Sequence, residues 1–361
     1  MIDGMLVVDA IVHAYDLSEA NVQDNPVARI AHEQIWASMS TVFPPDKVVP
    51  RRVACSDWPV EIVTASLFRE TATDLAAHHY LTLHSWFRDG LVSREKNAEI
   101  ARRWPQRYFS YLGVDPTAGV EECVRSMREQ FEQIPGAVGL KLYPHQIYPF
   151  RSWRMDDRKV AYPLYEAAGE LGLKVIAIHK ALPLGPVPMD PYRIGDLDCA
   201  AMDFPELNFE IVHSGMAFVE ETAWALGRFP NVYGNLEVTT FMLANQPRRF
   251  GEVLAQLIAA GGADKVLWAA TMPNVVDCQW LLERFVDYRL PDDVAERYSF
   301  ELTRELKEKI LGLNYLRMVG VDPAEARARI ADDEFSLYND PRRLEPWGTT
   351  WRAAAPELFD E

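Results

Sequence analysis

The apolar positions fall into short β-branched or aromatic runs, each followed by a turn and then a stretch with helical periodicity. This alternation predicts βαβ units and a parallel sheet. VVDAIVH opens the series and DLAAHHYLTL supplies a second run. From Arg107 the register is plain: RYFSYLGVDP is a strand, and GVEECVRSMREQFEQI is a helix with Val120, Cys123, Met127 and Phe131 on one face. AVGLKLYP follows, then a helix over AYPLYEAAGELG, which Gly172 stops. LKVIAIHK, LNFEIVHSG, NVYGNLEVTT and KVLWAATMP complete eight runs. Eight parallel strands with intervening helices predict a (β/α)8 TIM barrel.

Two kinds of segment fall outside the repeat. Residues from about 20 to 57 are too long for a βα connection and too apolar for a linker, which predicts an inserted lid after strand 1. Residues 290–330 read as closing helices. The expected organisation is one barrel over 1–330 and a C-terminal extension over 331–361, its Trp351 packing outside the barrel or on a partner subunit.

Composition narrows the functional classes. A formal net charge of −16 repels nucleic acid and anionic membrane surfaces. The start MIDGMLVVDA has no basic region or cleavage site, and no apolar run approaches the roughly 20 residues of a membrane span. A cytoplasmic protein is expected. Cys55, Cys123, Cys199 and Cys278 form no CxxC pair and read as core thiols.

Candidate chemistry gathers at the strand ends, where barrels of this kind carry catalysis. His13, His179, His213 and Glu237 all fall there. A single histidine in an apolar strand is usually a hydrogen-bonded core residue. Three at one layer with a buried carboxylate instead point to a divalent metal site. Lys141 and Lys180 are candidate partners of Glu237, and a carboxylated Lys141 bridging two ions is the two-metal variant. His78 and His79 cannot both face inward, and His79 is the one expected to line the site. Trp86, Tyr143 and Arg193, with Arg88 and Arg151, suit a bulky apolar substrate bearing a carboxylate or acyl group.

Several segments resemble the amidohydrolase superfamily, in its amidohydrolase-2 branch related to 2-amino-3-carboxymuconate 6-semialdehyde decarboxylase. MDDRKVAYPLYEAAGELGLKVIAIH is similar to that branch's helix-four-to-strand-five signature, GLKLYP to its strand-four motif and FPELNFEIVHSG to its strand six. LTRELKEKILGLNYLRMVGVD resembles its closing helix. The resemblance runs from about Met5 to Asp322 and implies a strand-five metal ligand at His179 and a strand-six acid/base or polarising group at His213. Two expected ligands are missing. Ile11 stands where the first histidine of an Asp-x-His-x-His strand belongs, and Thr271 stands where strand eight carries an aspartate. Neither replaces the group it displaces.

The expected site is therefore rearranged: His13, His179 and Glu237 hold one divalent ion, or two, of zinc, manganese or iron. His213, Glu237 and Lys180 are expected to carry the chemistry, with Lys141, Tyr143, Trp86, Arg193 and His79 around the substrate. Metal-assisted hydrolysis of an amide, ester or thioester is the leading expectation. Decarboxylation or hydration of an aromatic or unsaturated acid is the alternative, and a barrel that only binds a ligand is the third. The expected partner is a small molecule, with no nucleic acid or membrane, and a homo-oligomer such as a homodimer is anticipated.

Overall fold

The computed structural model describes residues 1–183, 185–270, 272–273 and 277–358. Thr271 lies outside the described residues. Eight parallel strands stand side by side in chain order: β1 (Val8–Val12), β2 (Leu75–His79), β3 (Tyr108–Gly113), β4 (Gly139–Leu142), β5 (Val175–His179), β6 (Asn208–Val212), β7 (Val232–Asn235) and β8 (Val266–Leu267). The sheet closes on itself: the Ala10 amide donates to the Trp268 carbonyl and the His13 amide to the Met272 carbonyl, each at 3.0 Å. The fold is a (β/α)8 barrel.

Period-two alternation divides each strand between two apolar clusters. In β5, Val175 and Ala177 belong to the cluster inside the barrel, while Ile176 and Ile178 join the larger one beneath the helices. His179 therefore points inward, and Lys180 points toward the helical layer.

The first strand departs from this regularity. Asp9 pairs with Ala76 and Val12 with His78, so three steps on β1 oppose two on β2. This is a β-bulge, and it resets which residues face inward. Asp9 holds it by accepting from the Ile11 amide and, across the barrel seam, from the Ala270 amide, at 3.2 Å in both cases. Ile11 is fully buried in the interior cluster. The residue at the missing ligand position is thus an apolar plug beneath the mouth.

The lid contains a helix, α1 (Pro26–Thr41), started by the Asn25 side chain accepting from the Ala28 amide with proline at the first helical position. Its buried face carries Ala31, Ile35 and Met39. The C-terminal segment packs on its own chain. Trp351 meets Trp58 edge to face at 4.8 Å, and Glu70 accepts from the Gly348 amide at 2.8 Å and from the Thr350 amide at 2.6 Å. The cysteines are not all core thiols: Cys123 and Cys278 are buried, Cys55 is half-buried and Cys199 is exposed. Among the described residues, no helix is long and apolar enough to cross a membrane.

Candidate active site

Four strand ends bring His13, His179, His213 and Glu237 to the floor of one cavity. Each is placed by a local device. The β1 bulge turns His13 inward, where its ring stacks on Tyr15 at 5.1 Å. His179 ends β5 in regular alternation and stacks on Tyr143 at 4.8 Å. His213 would point away from the mouth if β6 simply continued, but it adopts φ +68° and swings back over it. Glu237 lies just beyond β7. Its amide donates to Asn235 Oδ1 at 2.7 Å, and Val238 after it takes φ +62°, a costly conformation for a β-branched residue.

The hydrogen bonds orient the rings. The Leu182 carbonyl only accepts, so His179 Nε2, 2.8 Å away, carries the proton. His179 Nδ1 is then an acceptor, and His213 Nε2 donates to it at 3.0 Å. His213 Nδ1 lies 3.4 Å from the Glu237 backbone carbonyl and 3.6 Å from Glu237 Oε2. The other carboxylate oxygen of Glu237 is 3.5 Å from His13 Nε2. Burial holds His13, His179 and His213 well below the ordinary imidazole range, with the Lys141 charge acting in the same direction on each.

Beneath this layer lies a second set of polar groups. Burial pushes Glu237 up to about 7, opposed by Lys141. Lys141 is drawn down to about 8 by burial, opposed by Glu237 and Glu210. Glu210, fully buried on β6, accepts from Asn235 Nδ2 at 2.5 Å and from the Tyr111 hydroxyl at 3.3 Å. Asn235 therefore bonds Glu210 with its amide nitrogen and the Glu237 backbone with its oxygen. This Glu210–Asn235 support behind Glu237 is an element that the sequence reading missed. Its signal was present in LNFEIV, where a carboxylate takes the inward position of an apolar strand.

Several expected residues sit elsewhere. Lys180 Nζ is tied to both Asp196 oxygens, at 2.8 and 2.9 Å, and to the Pro191 carbonyl, on the helical side of the sheet, so it does not serve an oxyanion at the mouth. Arg193 is exposed and paired with Glu221. Arg88 Nε donates to the Ala20 carbonyl at 3.0 Å. Trp86 is buried in a second layer behind Gly185, a cavity residue, and stacks on His145. Tyr143 lines the cavity. His79 faces the interior, stacked on Tyr111 at 3.9 Å and edge-on to His13 at 6.0 Å, while His78 turns outward to Asn97.

The trio of His13, His179 and Glu237 does not close as one ligand set. Glu237 touches His13 and His213, and His179 joins through His213. Two ligands on one tetrahedral ion with bonds near 2.1 Å stand about 3.4 Å apart, close to the 3.5 and 3.6 Å separations flanking Glu237. Each pair has the spacing of two ligands on one ion, but His13, His213 and Glu237 do not bring three ligand atoms within 4.8 Å of one another. Among the described residues, the trio whose ligand atoms all lie within 4.8 Å is Glu19, His32 and Glu33 beside the lid, where Glu33 already pairs with Arg51.

The cavity above this floor has a volume of about 350 Å³. Helix α1 contributes Gln34, Ile35 and Ser38 to its wall, and the segment after Glu237 contributes Phe241, Met242 and Asn245.

Known structures repeat this architecture. An uncharacterised TIM-barrel protein from Bordetella bronchiseptica is 20% identical over 89% of this chain and 99% of its own, with a TM-score of 0.63. A 2,6-dihydroxybenzoate decarboxylase from Rhizobium is 12% identical over 88% and 99%, with a TM-score of 0.52. An amidohydrolase from Burkholderia multivorans with bound zinc is 11% identical over 88% and 100%, with a TM-score of 0.51. No curated protein matches the chain. The family model described as amidohydrolase matches residues 62–321, and the chain belongs to this family as an enzyme built on the (β/α)8 barrel.

Proposed function

We propose that the protein is a metal-dependent hydrolase of an ester, thioester or amide. The observation that carries this reading is the placement of the Glu237 carboxylate between His13 Nε2 and His213 Nδ1, at 3.5 and 3.6 Å, on the floor of a largely apolar cavity. Those three residues would hold one divalent ion of zinc, manganese or iron. When bound, such an ion lowers the pKa of a coordinated water and polarises a carbonyl.

The chain's own groups supply the rest. Glu237, with one oxygen toward His13 and the other toward His213, is placed to accept a proton from the attacking water and return it to the leaving group. His179 positions His213 by accepting its Nε2 proton, as the outer partner of a metal-bound imidazole does. Tyr15 and Tyr143 hold the rings of His13 and His179 by stacking and shield the floor from water.

Decarboxylation of an aromatic acid is the second reading. Largely apolar walls with no cationic side chain among the described lining residues favour a step that discharges a carboxylate, and the structurally similar Rhizobium protein is a decarboxylase. Metal analysis comes first, followed by assays of acyl esters, thioesters and anilides for free acid and of hydroxybenzoates for carbon dioxide. Glu237→Gln is expected to lower both metal content and turnover, the latter at least about 100-fold. Turnover unaffected by complete metal removal would reject both readings.

A further inference from the structure

The cavity walls above the reactive floor are apolar: Ile35, Val42, Leu91, Leu182, Met216 and Phe241 all line them. The polar groups farther from the floor are uncharged, namely Gln34 and Ser38 on the lid helix and Asn245 and Gln246 after β7. No lysine or arginine lines the cavity among the described residues. Those outside the description, at positions 184, 271, 274–276 and 359–361, are Leu, Thr, Asn, Val, Val, Phe, Asp and Glu, so they add no cation either.

Cations of the surrounding segments are held in ion pairs of their own. Arg51 pairs with Glu33, Lys47 with Asp277 at 2.8 Å and Arg193 with Glu221. Lys141 is buried at the floor, its ammonium 5.4 Å from the ring of Tyr143 and its charge acting on Glu237, so it serves the reacting end and not a remote group. The net charge of −16 adds a field that repels anions from the whole surface.

We infer that the substrate is an acyl compound with an uncharged, apolar body, and that a second carboxylate remote from the reacting carbonyl is rejected. Such a carboxylate would lose its hydration against aliphatic and aromatic walls without gaining a partner. The amides of Gln34, Asn245 and Gln246 provide hydrogen bonds for a neutral polar terminus. This inference rests on the cavity being the substrate site named above.

Two ester probes of equal chain length separate the cases: 4-nitrophenyl hexanoate, ending in a methyl group, and the mono-4-nitrophenyl ester of adipic acid, ending in a carboxylate. The corresponding anilides, hexananilide and adipic acid monoanilide, report binding by calorimetry without requiring turnover. The expected result is a kcat/KM at least about 100-fold higher for the hexanoate, with hexananilide binding in the same order of preference. Gln34→Arg, on the exposed edge of the lid helix, is expected to narrow the gap at least tenfold by raising activity on the adipate ester. Equal or reversed preference, or no binding of either anilide, would overturn the inference. Selective binding of hexananilide with no hydrolysis of either ester would sustain it while rejecting the hydrolytic reading.

Discussion

His213 Nε2 donates to His179 Nδ1 at 3.0 Å, and the Leu182 carbonyl on the far side of His179 fixes the direction of that bond. His179 is thereby engaged through both ring nitrogens. His179→Phe is expected to weaken metal binding by about 10–100-fold, the usual cost of losing an outer partner, with His179→Asn recovering part of it. His13→Ala and His213→Ala are expected to abolish binding. Chelator competition on the four variants ranks them, and a His179 variant as severe as His13→Ala would make His179 a direct ligand.

Asn235 offers a separate test because it contacts the Glu237 backbone and the Glu210 carboxylate without lining the cavity. Asn235→Ala leaves a buried amide and a buried carboxylate each short of a partner. Stability should fall by about 1–3 kcal/mol in urea unfolding, and kcat should fall more than KM rises. A change in stability alone would confine Asn235 to the core.

Lys180 and Asp196 form a buried pair whose effect should be on stability. Lys180→Met strands Asp196, at a cost of about 3–5 kcal/mol. Adding Asp196→Leu should restore much of that loss, since a buried ion pair is often replaceable by apolar packing. A double variant that folds as well as the parent but has lost all turnover would return Lys180 to the chemistry.

His78 supplies a pH signature. It donates from Nδ1 to Asn97 Oδ1 at 2.8 Å and accepts the Ala14 amide at Nε2. Burial lowers it from 6.5 to about 3, with the Asn97 bond opposing. A depressed imidazole binds its proton later in the folded chain than in the unfolded one. Its contribution is therefore fully present above pH 6.5 and is lost as pH falls toward 3. Relative to His78→Gln, the parent should lose about 1.4 kcal/mol per pH unit across that window. Urea midpoints at pH 7 and pH 5.5 should show the gap shrinking, and a constant gap would mean that His78 titrates normally.

The parts of the site legible in the sequence obey local periodicity. β5 alternates regularly, so His179 could be placed from VIAIH alone, and the same rule should have sent Lys180 to the opposite face. Glu237 was recognisable as a buried carboxylate at a strand end. Less legible were positions set by broken periodicity. His213 needs its positive φ, and His13 needs the bulge that makes Ile11 an interior residue. The cavity wall was hardest to read, because Gln34, Ile35 and Ser38 reach the mouth through the docking of the lid and their neighbours along the chain say nothing of it. Trp86 and Arg193 had suitable chemistry but are held one layer back and on the surface.

The seam of the barrel ties the site to the order of synthesis. The His13 amide is bonded to the Met272 carbonyl, and the Asp9 carboxylate that shapes the bulge accepts from Ala270. β1 thus waits for β8, made after the other seven strands, before its imidazole can take up its working position. A polypeptide interrupted before β8 would carry all four floor residues and still lack the geometry that makes them a centre. Two fragments divided within the α1 lid would be expected to regain it only on reassociation.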